Sequence, residues 1–214
     1  MEKYYINIGR QIGSGGLIIA EKLSNILNIP VYDKQLIDAA AKESGISKDF
    51  FKSADEKTCT HYWGGFMGLN FSSIFNDLSS YSPLDSCELF RIQSETIRKI
   101  AQNGSAIFVG RCADYILRDM HNCLNVFISS SKIDDRIDRF KQCDLIKDIA
   151  TKSREDIIEI LEKGDKKRAQ YYSYYTYKQW GASESYNLCL DTSYFDIDTC
   201  AKIISTVASN TFKL

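Results

Sequence analysis

The chain has 214 residues and a net charge of −1, a length that suits one domain with inserted lobes and that buries roughly 70% of its unfolded surface without a covalent staple. Near-zero charge gives no global field toward nucleic acid or acidic membrane, and no apolar run approaches a membrane span. The cysteines, Cys59, Cys87, Cys112, Cys123, Cys143, Cys189 and Cys200, are odd in number, scattered and without a C-x-x-C pair, and Met1-Glu2-Lys3 leads into a strand with no signal-peptide pattern, so a reduced cytoplasmic protein is expected, with neither a membrane nor a nucleic-acid polymer as partner.

Tyr4 to Gly9 reads as a β-strand. It runs into Gly9-Arg10-Gln11-Ile12-Gly13-Ser14-Gly15-Gly16, after which Ile18, Ile19, Leu23, Ile26 and Leu27 recur at helical spacing. Strand, glycine-rich turn and helix is a layout that cradles phosphate, because glycines let the backbone approach an anion and the helix start offers unpaired N–H groups. Val31-Tyr32 is a second strand, followed by Asp33 and a helix over 34–43. Residues 58–83, with His61, Trp63, Phe66, Phe71 and Phe75 among glycines and serines, lack periodicity and read as an inserted mobile lobe.

A long helix is expected over 84–102. The continuous apolar run 106–109 then reads as a strand buried on both faces, ending in Gly110-Arg111. A further strand is expected at 126–129. Ser131 and Asp134 resemble a capping box for a helix carrying Arg136 and Arg139, and Ser153 with Asp156 repeats the signature before a charged helix from 154 to about 177. The strand 188–191 and a helix over 196–209 end the chain. Alternation of strands and helices predicts a parallel, doubly wound α/β sheet of five strands. Ligands of such sheets bind at strand C-termini, where Gly9, Asp33, Gly110-Arg111 and Ser129 to Ser131 all fall.

The residues leave alternatives open. The glycine loop is either a plain strand–helix turn or a phosphate cradle. It also matches the first half of a dinucleotide fingerprint through Gly13 and Gly15, with Ile18 where the third glycine belongs and Asp33 at a ribose-binding distance. Arg10, Arg111, Arg136, Arg139, Lys166, Lys167 and Arg168 are either a solvated face with local ion pairs or the positive charges that phosphoryl transfer requires. The rings of the run Tyr171 to Tyr177 and of Trp180 suit core packing, with base stacking as the functional alternative. Cys59-x-His61 lacks a second ligand pair for zinc.

Taken in order, the glycine loop, Val31-Tyr32-Asp33-Lys34, Val109-Gly110-Arg111-Cys112-Ala113-Asp114-Tyr115, Asp165-Lys166-Lys167-Arg168-Ala169, Trp180-Gly181 and Leu190-Asp191-Thr192-Ser193 resemble the cytidylate kinase-like family over nearly the whole chain, with no match at 55–85. The resemblance implies a P-loop NTPase-like three-layer sandwich built as one nucleotide-kinase-like domain. Its core would be 1–57 and 84–214, with an acceptor-binding insertion at 58–83 and a helical lid at about 154–180 that closes on both substrates. It implies transfer of the γ-phosphate of ATP, with Mg²⁺, to a nucleoside monophosphate such as CMP or dCMP; the alternative is a degenerate kinase that binds nucleotide without turnover. Gly13, Ser14, Gly15 and Gly16 would then hold donor phosphates, Asp33 would face the acceptor nucleoside and Arg111 would bind its phosphate. Arg136, Arg139 and Arg168 would converge on the transferring group, with Asp165 orienting an arginine. Two departures stand out: Gly16 and Leu17 occupy the places of the loop lysine and the magnesium-binding hydroxyl. Arg10 is expected to supply the missing charge. Gly110 replaces an acidic residue, which leaves the Mg²⁺ ligands unassigned.

Overall fold

The structure, a computed structural model, describes residues 2–43, 83–142 and 152–214. The expected lobe at 58–83, apart from Pro83, lies outside the described residues, as do His61, Cys59 and Cys143.

Five parallel strands form one sheet. In chain order the elements are β1 (Tyr5–Arg10), α1 (Gly16–Leu27), β2 (Val31–Tyr32), α2 (Lys34–Glu43), α3 (Pro83–Asn103), β3 (Ala106–Val109) and the short α4 (Ala113–Ile116). They continue with β4 (Cys123–Ser129), α5 (Ile133–Gln142), α6 (Arg154–Thr176), β5 (Leu188–Asp191) and α7 (Ile197–Phe212). The sheet order is β2-β3-β1-β4-β5. β1 is therefore central, with earlier and later strands fanning to opposite sides, and the strand order reverses beside its C-terminal end. Open α/β sheets bind ligands at such a reversal. The dinucleotide layout puts its second strand beside the first; here β3 takes that place, and Ile18 is 43% exposed rather than packed where a third glycine would let the helix approach.

Alternation along the strands decides which layer each side chain joins. Ile6 and Ile8 of β1, with Ile107, Val109, Val126 and Ile128, pack under Ile19, Ala20 and Leu23 of α1 and Ala201, Ile204 and Ala208 of α7. Tyr5 and Phe108 face the other way, onto Ile37 of α2, Ile97 and Ala101 of α3, and Ala113 and Ile116 of α4. A third cluster, Ile12 with Ile137, Phe140, Ile157 and Leu161, lies at the sheet's C-terminal edge and joins the glycine loop to α5 and α6.

β4 begins three residues earlier than its apolar run, at Cys123. The polar Asn125 is accommodated because Asn7 stands beside it in register and donates its Nδ2 to Asn125 Oδ1 at 2.8 Å. Ser153 and Asp156 form the expected reciprocal cap at the start of α6. The Ser131–Asp134 signature does not: α5 starts at Ile133, and the Ser131 N–H donates instead to Asp191 Oδ1. Among the described residues no helix is long and apolar enough to cross a membrane.

Candidate phosphate-binding site

The loop between β1 and α1 is fixed from three sides. Ile12 inserts its side chain into the α5–α6 cluster and is 6% exposed. Its N–H donates to Asp165 Oδ1 at 2.8 Å, and its carbonyl accepts from Arg136 Nε at 2.8 Å. Arg136 Nη2 donates to Asp165 Oδ2 at 2.5 Å, and the two side chains are only 9% and 13% exposed. Burial pushes the Asp165 carboxyl up, while the Ile12 N–H and the guanidiniums of Arg136 and Arg168 work against that rise.

The next residue is held from α5. Arg139 Nη1 donates to the Gly13 carbonyl at 3.2 Å and to Thr192 Oγ1 at 3.1 Å, and its Nη2 donates to the Thr192 carbonyl at 3.0 Å. Thr192 in turn donates its hydroxyl to the Ser14 carbonyl at 3.0 Å. Gln11 accepts from Ser130 N–H through Oε1, which ties the loop to the end of β4. Two glycines make the turn possible: Gly13 at φ 75° and Gly15 at φ 78° lie in the left-handed region, where a Cβ is strained. A Cβ at Gly13 would also meet the Arg136 carbonyl oxygen at 2.5 Å. Gly15 is the N-cap of α1 and brings no side chain to it, so the first-turn N–H groups of α1 face outward toward any anion.

The structure divides the arginines expected at the site into two groups. Arg136 and Arg139 spend donors on the carbonyls of Ile12 and Gly13. Arg10, Arg111 and Arg168 form the other group, close enough that Arg111 disfavours the charged form of both Arg10 and Arg168. Burial, then Arg168 and Arg111, pulls the Arg10 guanidinium well below its ordinary value, with Asp33 and Asp165 opposing. Burial also brings Arg168 down to about 10, with Asp165 opposing it and Arg111 and Arg136 adding to it. Arg168 Nη1 donates to the Arg10 carbonyl at 3.0 Å. Three partly buried guanidiniums held together are a poor arrangement without an anion and a good one with it.

Arg111 projects from a strained backbone. Gly110, Arg111 and Cys112 are consecutive left-handed residues, at φ 81°, 56° and 55°; for the two that are not glycine such conformations cost on the order of 1–3 kcal/mol each and cluster at functional sites. The Arg111 guanidinium lies 5.5 Å from the Tyr171 ring centroid. Asp33 caps α2, accepting the Leu36 N–H on Oδ1 at 3.0 Å. Tyr171 donates its hydroxyl to Gln93 Oε1, and Gln93 Nε2 donates to Asp38 Oδ1 at 2.7 Å, a chain that links α6, α3 and α2 on the Arg111 side.

The tyrosine run is divided. Tyr175 stacks on Phe90 with centroids 3.8 Å apart, and Tyr172 donates its hydroxyl to the buried Asp114 at 2.7 Å. Tyr174 and Tyr177 face outward. Ile12, Gln11 and Thr192 stand in motifs quoted from the sequence but had no role assigned there; the apolar Ile12 inside a glycine loop is the one signal of an anchor.

Phosphate suits this loop: its glycines leave the backbone bare for an anion to approach, and a Cβ at Gly13 or Gly15 would strike Arg136 or Ile197. Magnesium has no comparable provision: Leu17 offers no hydroxyl, and the described residues contain no group of three or more His, Cys, Asp or Glu able to hold a metal ion.

Solved structures share this fold. The chain is 27% identical to an uncharacterized protein from Eubacterium ventriosum ATCC 27560, with a TM-score of 0.71 over 98% of this chain and 99% of that one. It shares its fold with shikimate kinase from Bacteroides thetaiotaomicron, at 11% identity and TM-score 0.55 over 99% of both chains. Shikimate kinase from Acinetobacter baumannii, solved in complex with shikimate, gives 11% and 0.50 over 97% and 94%. No curated protein matches the sequence. The five-stranded parallel sheet with its flanking helices is thus the α/β fold of these shikimate kinases. Within that fold, the model of one family matches residues 5–194, from the first strand to the turn that holds the glycine loop, and the chain belongs to the cytidylate kinase-like family.

Proposed function

We propose that the protein transfers the γ-phosphate of ATP to a nucleoside monophosphate, with CMP and dCMP the first acceptors to test. The observation that carries this reading is the convergence of Arg10, Arg111 and Arg168 beside an outward-facing helix N-terminus. Charge on a transferring phosphoryl group spreads over its oxygens, and fixed cations and N–H dipoles around it lower the barrier. In this reading the backbone from Gly13 to Gly16 holds the donor's phosphates, Arg111 holds the acceptor's phosphate and Arg168 faces the group in transit. Asp33, with one oxygen committed to α2, stands on the acceptor side. Arg136, Arg139 and Asp165 act as positioning residues, because their bonds set the loop rather than leave it. An acceptor phosphate oxygen attacks in line, the bond from the γ-phosphorus to the β–γ bridging oxygen breaks, and ADP departs with no covalent enzyme intermediate. Magnesium would enter on the nucleotide's own phosphates.

A second reading, a nucleotide-binding module without turnover, draws on Gly16 and Leu17, which replace the lysine and hydroxyl that kinase loops bring to the phosphates and metal. One experiment separates the two: Mg·ATP offered with CMP, dCMP, UMP, AMP, GMP and non-nucleotide acceptors, reading ADP. ADP formed only with a nucleoside monophosphate supports the kinase. ATP bound with no ADP across the panel supports the module.

A further inference from the structure

Gly16 is the unexplained glycine of the loop. Gly13 and Gly15 are required by their positive φ, but Gly16 is the first residue of α1 and is not among the residues of positive φ, so its backbone would accept any side chain. Space is what forbids one. A Cβ at Gly16 would lie 2.7 Å from Arg10 Cβ and 3.0 Å from Arg10 Cγ, closer than such atoms approach. At the other end of the same side chain, a Cβ at Gly110 would run into Arg10 Nη1. The Arg10 side chain therefore crosses from the end of β1 to the end of β3 over two residues that have no side chain.

We infer that Gly16 and Gly110 form a socket for Arg10, and that Arg10 holds the donor's terminal phosphates in place of the lysine that would otherwise occupy position 16. This rests on the nucleotide-site reading above and adds to it a specific exchange: the cation comes from the end of β1 instead of the start of α1. The two arrangements exclude each other, since a lysine at 16 needs the volume that the Arg10 stem fills. Arg111 and Arg168 are less suited to the task. Arg111 sits over Tyr171 on the acceptor side, and Arg168 has a donor engaged by the Arg10 carbonyl. Their repulsion of Arg10 is a cost that a polyanion between them removes. The absence of the usual lysine is then a relocation of charge and not a sign of a decayed site.

Calorimetric titration with inorganic tripolyphosphate, and separately with ATP, tests the exchange without requiring turnover. Arg10→Gln is expected to weaken tripolyphosphate binding by about 10- to 100-fold, the loss of hydrogen bonds to a charged group. Gly16→Lys alone is expected to weaken it too, although it adds a positive charge. The double variant Arg10→Gly/Gly16→Lys is expected to regain most of the loss. Circular dichroism and thermal melts establish that each variant is folded. Should Gly16→Lys not fold, Gly16→Ala serves: its single methyl weakens binding when Arg10 is present and leaves it unchanged in the Arg10→Gly background, a non-additivity that reports direct contact. Wild-type affinity in Arg10→Gln, or tighter binding in Gly16→Lys than in the wild type, overturns the exchange and leaves the nucleotide site standing. A wild-type protein that binds neither tripolyphosphate nor ATP overturns both.

Discussion

Ile12 has no spare group. Its side chain is in a core cluster, its N–H is on Asp165 and its carbonyl is on Arg136. A backbone kept this way cannot relax when a ligand's charge arrives, which is the preorganisation that makes fixed dipoles effective in catalysis. Asp165 is the keystone, since one carboxylate serves both the Ile12 amide and the Arg136 guanidinium. Asp165→Ala is expected to destabilise the fold by about 3–5 kcal/mol, because it leaves a buried guanidinium without its counter-charge. Urea unfolding measures this; a loss under about 1 kcal/mol would show the pair to be no more than a surface ion pair. Little of this was legible in the sequence. Arg136 and Arg139 could be placed on one helix face, but nothing in a three-residue spacing says that the face meets the carbonyls of residues 12 and 13. That follows from the third cluster, which brings α5 against a loop 124 positions away in the chain.

The elements show where sequence patterns suffice and where they fail. β3 is a continuous apolar run and was readable as a buried strand, and β1 was readable as a strand from Tyr4, Tyr5, Ile6 and Ile8. The start of β4 was not, because Asn125 is satisfied only across the sheet, by Asn7. The four-residue α4 has too few positions to show a period. Caps were readable when the helix begins directly after them: Ser153 accepts from Asp156 N–H at 3.1 Å and receives the Asp156 carboxylate on its own N–H at 3.2 Å. Ser131 failed that test because a tertiary acceptor, Asp191, captures its N–H. Ser153→Ala is expected to cost about 1 kcal/mol. It should raise amide exchange in the first turn of α6 while leaving α7, capped separately by Asp196, unchanged. Equal exchange in both helices would mean that the cap is not limiting. Because α6 also carries Asp165, Arg168, Tyr171 and Tyr172, a frayed start need not disturb its functional half.

At the scale of the molecule, β5 is an edge strand paired with β4, and its last residue adds a further tie. Asp191 accepts the N–H groups of Ser131 at 3.0 Å and Ser193 at 2.8 Å. Burial resists its ionisation, yet those bonds outweigh burial and hold its carboxyl below the usual carboxylate value. The folded state thus binds this proton less readily than the unfolded chain does. The stability that Asp191 contributes is present above the unfolded value, about 3.9, and is lost as pH falls through the lower folded value. Thermal melts of the wild type and Asp191→Asn should differ at neutral pH and converge as pH falls through the folded value; a constant difference would assign the effect to shape rather than charge. The central position of β1 was not legible either, since sheet order depends on crossovers that no local pattern encodes. It is that order which sets the glycine loop between the chain of Asp38, Gln93 and Tyr171 on the Arg111 side and the turn after β5. Finally, the bond from the Ile12 amide to Asp165 spans 153 positions and is made by the middle of α6, so this one proton is a built-in gauge of whether that helix is seated. Its deuterium uptake should slow when tripolyphosphate is added and quicken in Asp165→Asn, and an NMR spectrum would then read helix docking from a single cross-peak.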